Sequence, residues 1–466
     1  MVRAVKTASI VTLGCKLNQA ESFRIQVDLA EAGVALVPFG EPADLSIVNT
    51  CTVTHVADQQ ARQTLRRARR ISPDGCVVAV GCFARVAADE VRAVDGVDLV
   101  ITAPKEEIVA ALEDAGLALG AASNIGDPDC RLPLPTTRVR QFVKVQDGCD
   151  DYCTYCIVPF ARGHSASRPA YEIVRDVQGF ADRGCREVVL TGVQIGAYGR
   201  DRYALRGQDL PPPGRPLAML VRRLLEQTTI MRIRISSIQP QDWAPEFLEL
   251  FEDPRLCHHL HLPLQAGCDT TLRRMARRYT TAEFAALVNR VRSRMPDIAI
   301  TADLMVGFPG EAEEHHAESL AFVGAMAFAD AHVFRYASRR GTAASRLGDG
   351  VSPEMKKRRS EELRALVARS ADRFRQSFLG TRRMVLWEEE IGSAPGGGAH
   401  SAARRWTGLT DNYLRVEMAS DDDRLGLAEL VMLESLDGEH FAGRAMDSVA
   451  DRGDSASERG LAHTKR

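Results

Sequence analysis

Gly148-Cys149-Asp150-Asp151-Tyr152-Cys153-Thr154-Tyr155-Cys156 follows at once on a strand-like run over residues 138–146 and sets three cysteines in the spacing CxxxCxxC. Three thiolates on one tight loop can hold three irons of a [4Fe-4S] cluster and leave the fourth iron without a protein ligand, open to a chelating substrate. Structural zinc is the competing reading, but zinc usually takes four ligands in paired spacings, and no second Cys or His pair stands nearby in sequence. Outward from this loop, strand-like runs recur over residues 187–191, 232–237, 258–262, 298–306 and 332–336, with apolar helical segments between most of them. Right-handed crossovers curve such a series into a full or partial (β/α) barrel, whose chemistry belongs at the C-terminal strand ends. The stretch from Gly199 to Pro216, with Pro211 to Pro213 in a row, reads as an inserted surface loop.

Upstream, strand-like runs at 8–12, 45–49 and 77–80 alternate with helical stretches at 21–31 and 57–70, the pattern of a small parallel α/β sheet. A polar linker holding Gly120, Asn124, Gly126, Asp127, Pro128, Pro133 and Pro135 separates the two series. Downstream, a charged helix from Pro353 to about Phe378 leads into β-like runs at 383–388, 412–417 and 428–433, which suggest a small antiparallel barrel interrupted by Gly396 to Gly398. The expected partition is therefore an α/β N-terminal domain over 1–120, a partial (β/α) barrel over 135–375, a small β-barrel over 376–446 and a flexible tail over 447–466.

With 466 residues, 45% hydrophobic and 26% charged, the chain has the composition of a globular protein of several domains. A net charge of -2 excludes a uniformly basic nucleic-acid coat, so any RNA contact has to come from local patches. No stretch approaches the roughly 20 apolar residues of a membrane helix, and the first twelve residues lack the apolar core of a secretory signal, which places the chain in the cytoplasm. In that reducing compartment eleven cysteines are metal ligands or core thiols rather than disulfides. Three of them stand after predicted parallel strands: Cys15 in Gly14-Cys15-Lys16-Leu17-Asn18-Gln19, Cys51 in Asn49-Thr50-Cys51, and Cys82 in Gly81-Cys82-Phe83. Parallel strands put their C-terminal ends on one edge, so the three could converge as a second thiolate site; ordinary buried thiols are the alternative.

The CxxxCxxC loop at the mouth of an α/β series resembles the radical S-adenosylmethionine superfamily. That resemblance implies that S-adenosylmethionine chelates the open iron and is split by one electron, and that Tyr155, just before the third cysteine, lies against the adenine. Cys15, Cys51 and Cys82 resemble, segment by segment, the methylthiotransferase branch, whose N-terminal domain binds a second [4Fe-4S] cluster where the sulfur is assembled. The resemblance extends through Leu190-Thr191-Gly192-Val193, Ile235-Ser236-Ser237-Ile238, His261-Leu262-Pro263-Leu264-Gln265 and the run from Asp303 to Glu311. Thr191, Gly192, Ser236, Ser237 and Gln265 are accordingly expected to line the cofactor site, with turn chemistry as the alternative; Gly307 and Gly310 are expected to be structural. Gln239 stands where the family usually has glutamate and is assigned no role. Cys76, Cys130, Cys185, Cys257 and Cys268 fall outside the matched positions and read as ordinary thiols.

Gly14 to Gln19, Gln146 to Cys149 and Pro159-Phe160-Ala161-Arg162-Gly163 look most like the enzymes that act on N6-threonylcarbamoyladenosine beside the tRNA anticodon. The implied reaction puts a methylthio group on carbon 2 of that base, presented unstacked from the anticodon loop, with an electron donor and a sulfur source that the sequence does not identify. Sister activities on isopentenyladenosine in tRNA or on an aspartate of a ribosomal protein remain open, as does a non-catalytic RNA-binding module with a structural metal. The segment Trp406 to Tyr413 resembles the small RNA-binding barrel called TRAM. Basic candidates for RNA contact are Arg62, Arg66, Arg67, Arg69 and Arg70, then Arg335, Arg339 and Arg340, then Lys356 to Arg359; solvated helix faces are the alternative.

Overall fold

The computed structural model describes residues 3–120, 139–201, 212–348, 350–393 and 404–446. Most of the expected linker, Cys130, residues 202–211 of the inserted loop, the Gly396 to Gly398 run and the tail after Met446 lie outside the described residues. The chain divides into two compact units between Ala371 and Asp372.

The first unit begins with a five-stranded, all-parallel sheet in the order Ala35–Leu36, Thr7–Thr12, Leu45–Thr50, Cys76–Gly81, Leu99–Val100. Leu45–Thr50 and Cys76–Gly81 are buried at every position, as central strands covered on both faces must be. The edge strands are two residues each, too short to leave a periodic signal. Helix Lys16–Glu31 follows the first of the expected strands, and helix His55–Ile71 follows the second. The latter starts where the Thr54 hydroxyl accepts from Ala57 N at 3.1 Å, with Asp58 in its first turn and Arg69 and Arg70 in its last, a charge order that suits the helix dipole.

All six expected barrel strands form. Arg140–Lys144, Glu187–Thr191 and Arg232–Ile235 make one parallel sheet; His259–His261, Ala299–Val306 and Asp330–Arg335 make another. Cys257 N donates to Ile233 O at 2.9 Å and Ile238 N to His261 O at 3.0 Å, which joins the two into a partial barrel. One set of alternating side chains, including Val188, Leu190, Ile233, Ile235, Leu260, Ala302 and Leu304, packs into the core beneath the helices. The intervening set is polar: Lys144 registers with Thr191, His261 with Thr301, and Asp303 with His332. Within it Glu187 is fully buried beside Arg234 at 2.9 Å and Arg140 at 3.2 Å. Burial opposes its ionisation, yet Arg234 and Arg140 hold the carboxyl down at about 2.

The second unit is a closed barrel of Arg382–Ser393, Arg404–Thr410, Arg415–Ser420, His440–Ala445 and Ala428–Asp437. Four of its pairings are antiparallel, but Arg415–Ser420 and His440–Ala445 run parallel, which corrects the purely antiparallel expectation. The reason is geometric: strand direction cannot alternate all the way round a ring with an odd number of strands. Trp387, Trp406, Val416, Val431 and Phe441 fill its centre. Trp406 is therefore a core residue and not a surface for stacking bases.

Candidate metal and cofactor site

Gly148 turns the chain from the first barrel strand into the cysteine loop at φ +68°, and a Cβ there would lie 1.9 Å from His164 O, so glycine alone fits. Fully buried Gln146 ties this loop to the next strand end. Its Nε2 donates to Gly148 O at 2.8 Å and Ser165 Oγ at 3.0 Å, while Oε1 accepts from Val193 N at 3.1 Å and Gln194 N at 2.9 Å. The Cys149 thiol donates to Gln194 Oε1 at 3.1 Å, and Gln194 Nε2 donates to Asp151 at 2.8 Å and Asp242 at 3.0 Å. Cys153 Sγ accepts from Arg277 Nη1 at 3.3 Å; the same guanidinium donates to Gln239 Oε1 and to Tyr279 Oη.

Burial pushes the Cys149 thiol up to about 12, and nearby Asp151, Cys156 and Cys153 add to the rise. Burial likewise lifts Cys156 to about 12, with Cys153 beside it. Buried thiols such as Cys149 and Cys156 become thiolates when a cationic centre displaces their protons, which is the donor chemistry an iron-sulfur cluster requires. Among the described residues no three His, Cys, Asp or Glu side chains close on a single metal ion. A four-iron cluster takes one thiolate per iron and so needs no such closure.

Tyr155 is half-buried against the barrel core, and burial raises its phenol, with Arg277, Cys153 and Cys156 close by. Thr191 ends the second barrel strand and is buried; Gly192 packs on Gln146. Ser236 follows the third strand, and its buried Oγ has no hydrogen-bond partner among the described residues, nor does Gln241 Oε1. Ser237 bridges to His261, and Gln265, at φ +66°, bridges to Leu304. All five expected lining residues thus stand at or just after the C-terminal ends of three successive strands, and the orphaned Ser236 Oγ, with Gln241 Oε1 nearby in sequence, is a polar atom that a polar ligand would satisfy. Gly307 is structural: its N–H, with that of Phe308, donates to buried Glu311. Gln194, Gln239, Asp242 and Arg277 were not foreseen as part of the site. Their only sequence signal was nearness to matched segments, and Gln239, set aside as a departure, is drawn in by Arg277.

In the N-terminal sheet, Cys15 caps helix Lys16–Glu31, Cys51 follows Leu45–Thr50, and Cys82 opens the short helix after Cys76–Gly81. A Cβ at Gly14, φ +102°, would lie 2.7 Å from Cys51 Cβ and 3.0 Å from its Sγ, so that turn closes directly on the second cysteine. Burial raises the Cys51 thiol, and Cys82 and Cys15 raise it further, which places the three within electrostatic reach of one another. A cavity of about 300 Å³ opens beside Cys82, where Arg85, Lys105, Lys144, Arg162 and Arg168 outnumber Glu21 and Asp147.

The two cysteine regions meet through two buried arginines. Arg162 donates to Asn18 and Glu21 of the sheet domain and to Asp147 of the barrel. Arg339 donates to Asp58 Oδ2 at 2.8 Å and Thr52 Oγ1 at 3.1 Å, one residue from Cys51. Arg339 was a candidate for RNA contact, and its burial removes it. Lys356 and Arg359 are buried as well, Arg69 is spent on the carbonyls of Gly96, Pro73 and Gly75, and Arg62 pairs with Glu90 at 2.6 Å. Arg66, Arg67, Arg70, Arg335, Arg340, Lys357 and Arg358 remain exposed.

Strand order, open barrel and CxxxCxxC loop define a radical S-adenosylmethionine enzyme: the family model for the Radical SAM superfamily matches residues 143–323. Residues 7–102 match the model described as Uncharacterized protein family UPF0004. A solved radical S-adenosylmethionine methyltransferase, TsrM from Kitasatospora setae, shares the fold at a TM-score of 0.50 and 15% identity, over 71% of this chain and 75% of that one; that structure contains cobalamin and a [4Fe-4S] cluster. Threonylcarbamoyladenosine tRNA methylthiotransferase MtaB of Bacillus subtilis (strain 168) is 34% identical over 90% of this chain and 92% of that protein. The tRNA-2-methylthio-N(6)-dimethylallyladenosine synthase of Pelobacter propionicus is 36% identical over 90% and 93%. The chain belongs to the radical S-adenosylmethionine methylthiotransferases that modify tRNA.

Proposed function

We propose that this enzyme methylthiolates carbon 2 of N6-threonylcarbamoyladenosine beside the tRNA anticodon in the cytoplasm. In this reading Cys149, Cys153 and Cys156 hold one [4Fe-4S] cluster that binds S-adenosylmethionine, and Cys15, Cys51 and Cys82 hold a second. The observation that carries it is the pair of three-cysteine sets at the strand ends of two sheets in one compact unit. When bound, the first cluster and S-adenosylmethionine supply the one-electron chemistry that opens an aromatic C–H bond with no acidic proton. The chain's own part is placement: Gln194 and Arg277 orient Cys149 and Cys153, while Tyr155, Thr191, Gly192, Ser236, Ser237 and Gln265 surround the cofactor.

The choice of base rests on the polar inner face of the barrel. His259 and His261 both meet Thr301 Oγ1, at 3.2 and 3.0 Å, and His261 Nε2 lies 3.2 Å from Asp303. Arg234 and Lys16 both act on His259, whose pKa burial and these cations drive well down. An apolar isopentenyl group would strip water from these polar groups and return no hydrogen bond; a threonylcarbamoyl group has a carboxylate, a hydroxyl and a urea to pair with them. The test is an anaerobic assay of the reconstituted enzyme on two tRNA transcripts, one carrying threonylcarbamoyladenosine and one isopentenyladenosine, read by nucleoside analysis. Methylthiolation of the first alone is expected; modification of the second alone would overturn the assignment.

A further inference from the structure

We infer that Arg162 is a positioning residue that sets the separation of the two cysteine sites. Its side chain is 6% exposed and uses its planar fork in two directions at once. Toward the N-terminal sheet, Nη1 donates to Glu21 Oε1 at 2.8 Å, and Nη2 to Asn18 Oδ1 at 2.6 Å and Glu21 Oε2 at 3.2 Å. Toward the barrel, Nη1 donates to Asp147 Oδ1 at 2.9 Å. Each end leads on to a cysteine. The Cys15 thiol faces Asn18 Oδ1 at 3.8 Å, and Asp147 Oδ1 accepts from Gly148 N at 2.8 Å, one residue before Cys149. A chain of polar contacts therefore runs from Cys15 through Asn18, Arg162 and Asp147 to the loop that carries Cys149, Cys153 and Cys156.

Charge compensation does not explain this arrangement. Glu21 is also paired with Lys105 and, at 3.5 Å, Lys144, and Asp147 has Lys144 at 2.9 Å, so both carboxylates keep a cation without Arg162. Lys144 also touches both carboxylates, but as a single ammonium on a flexible stem; only Arg162 adds a planar fork that reaches Asn18, Glu21 and Asp147 together. Transfer between two centres depends steeply on their placement, and a misplacement of about 1 Å can cost roughly 100-fold in rate.

The role rests on the two-cluster reading, and the experiment separates the two. Full-length wild type, Arg162→Lys and Arg162→Gln are reconstituted anaerobically and compared in three ways: iron content, magnetic broadening between the reduced clusters in electron paramagnetic resonance, and methylthiolated tRNA formed per 5′-deoxyadenosine. Wild type is expected to hold about eight irons. Both variants should show altered broadening and a product ratio lowered by roughly 10- to 100-fold, with Arg162→Lys, which keeps the charge, no better than a few-fold above Arg162→Gln. If Arg162→Gln sheds iron, Arg162→Lys alone decides. Wild-type broadening and product ratio in Arg162→Lys would overturn the positioning role. About four irons in wild type would instead overturn the two-cluster reading, and the role with it.

Discussion

Cys149 to Cys156 carry three thiols within eight residues, whereas the N-terminal sheet spreads Cys15, Cys51 and Cys82 over sixty-eight. The first set is held by one loop, pinned by Gln146, Gln194 and Arg277. The second has no loop in common, and parallel pairing alone brings the three strand ends to one edge of the sheet. The difference teaches that a local site is secured by side-chain bonds to its own loop, while a dispersed site is secured by topology and inherits the rigidity of the whole sheet.

The largest expected effect tests whether the two sets divide the labour. Replacing Cys149, Cys153 or Cys156 by Ala should abolish 5′-deoxyadenosine formation, by about 1,000-fold or more, and remove about four irons. Replacing Cys15, Cys51 or Cys82 should stop methylthiolation while leaving cleavage within about 10-fold. Equal loss of cleavage in both sets, with folding intact by circular dichroism, would erase the distinction.

Next comes the fully buried Glu187 charge in the barrel. Glu187→Gln removes the carboxylate that Arg234 and Arg140 face and should cost roughly 3–5 kcal/mol of stability, measured by denaturant unfolding. Because the folded carboxyl titrates below the ordinary glutamate value of 4.5, at about 2, its stabilisation is full above about pH 4.5 and drains away as pH falls toward 2. The wild-type protein should therefore lose stability across that window, and the variant should lose less.

The two glycine turns sharpen the comparison at smaller scale. Gly148→Ala and Gly14→Ala each force a side chain into left-handed backbone, at roughly 1–3 kcal/mol. The first should deplete iron from the barrel site and the second from the sheet site, so S-adenosylmethionine cleavage falls in Gly148→Ala and persists in Gly14→Ala. The smallest effect is expected for Gln239→Glu, which keeps an acceptor for Arg277 and should leave cleavage within about 3-fold.

Read from residues alone, the CxxxCxxC loop and the six barrel strands were legible, because spacing within one loop and the alternation of apolar residues are local properties that survive without a partner. The helices after Cys15 and Cys51 were legible for the same reason. What only the tertiary structure decided is convergence. It brought Cys51 against Gly14 with Cys15 and Cys82 within electrostatic reach, turned Arg339 from a candidate RNA contact into a buried ion pair, and drew Gln239 to Arg277. It also closed five strands into a ring that had to include a parallel pair. Arg162 belongs in the same class: in sequence it is one residue of the Pro159 to Gly163 segment, and its position between the two domains exists only once the chain has folded. The physical reason is that sequence separation fixes which backbone a residue shares, while the meeting of distant side chains depends on strand order and crossover, which no single segment encodes.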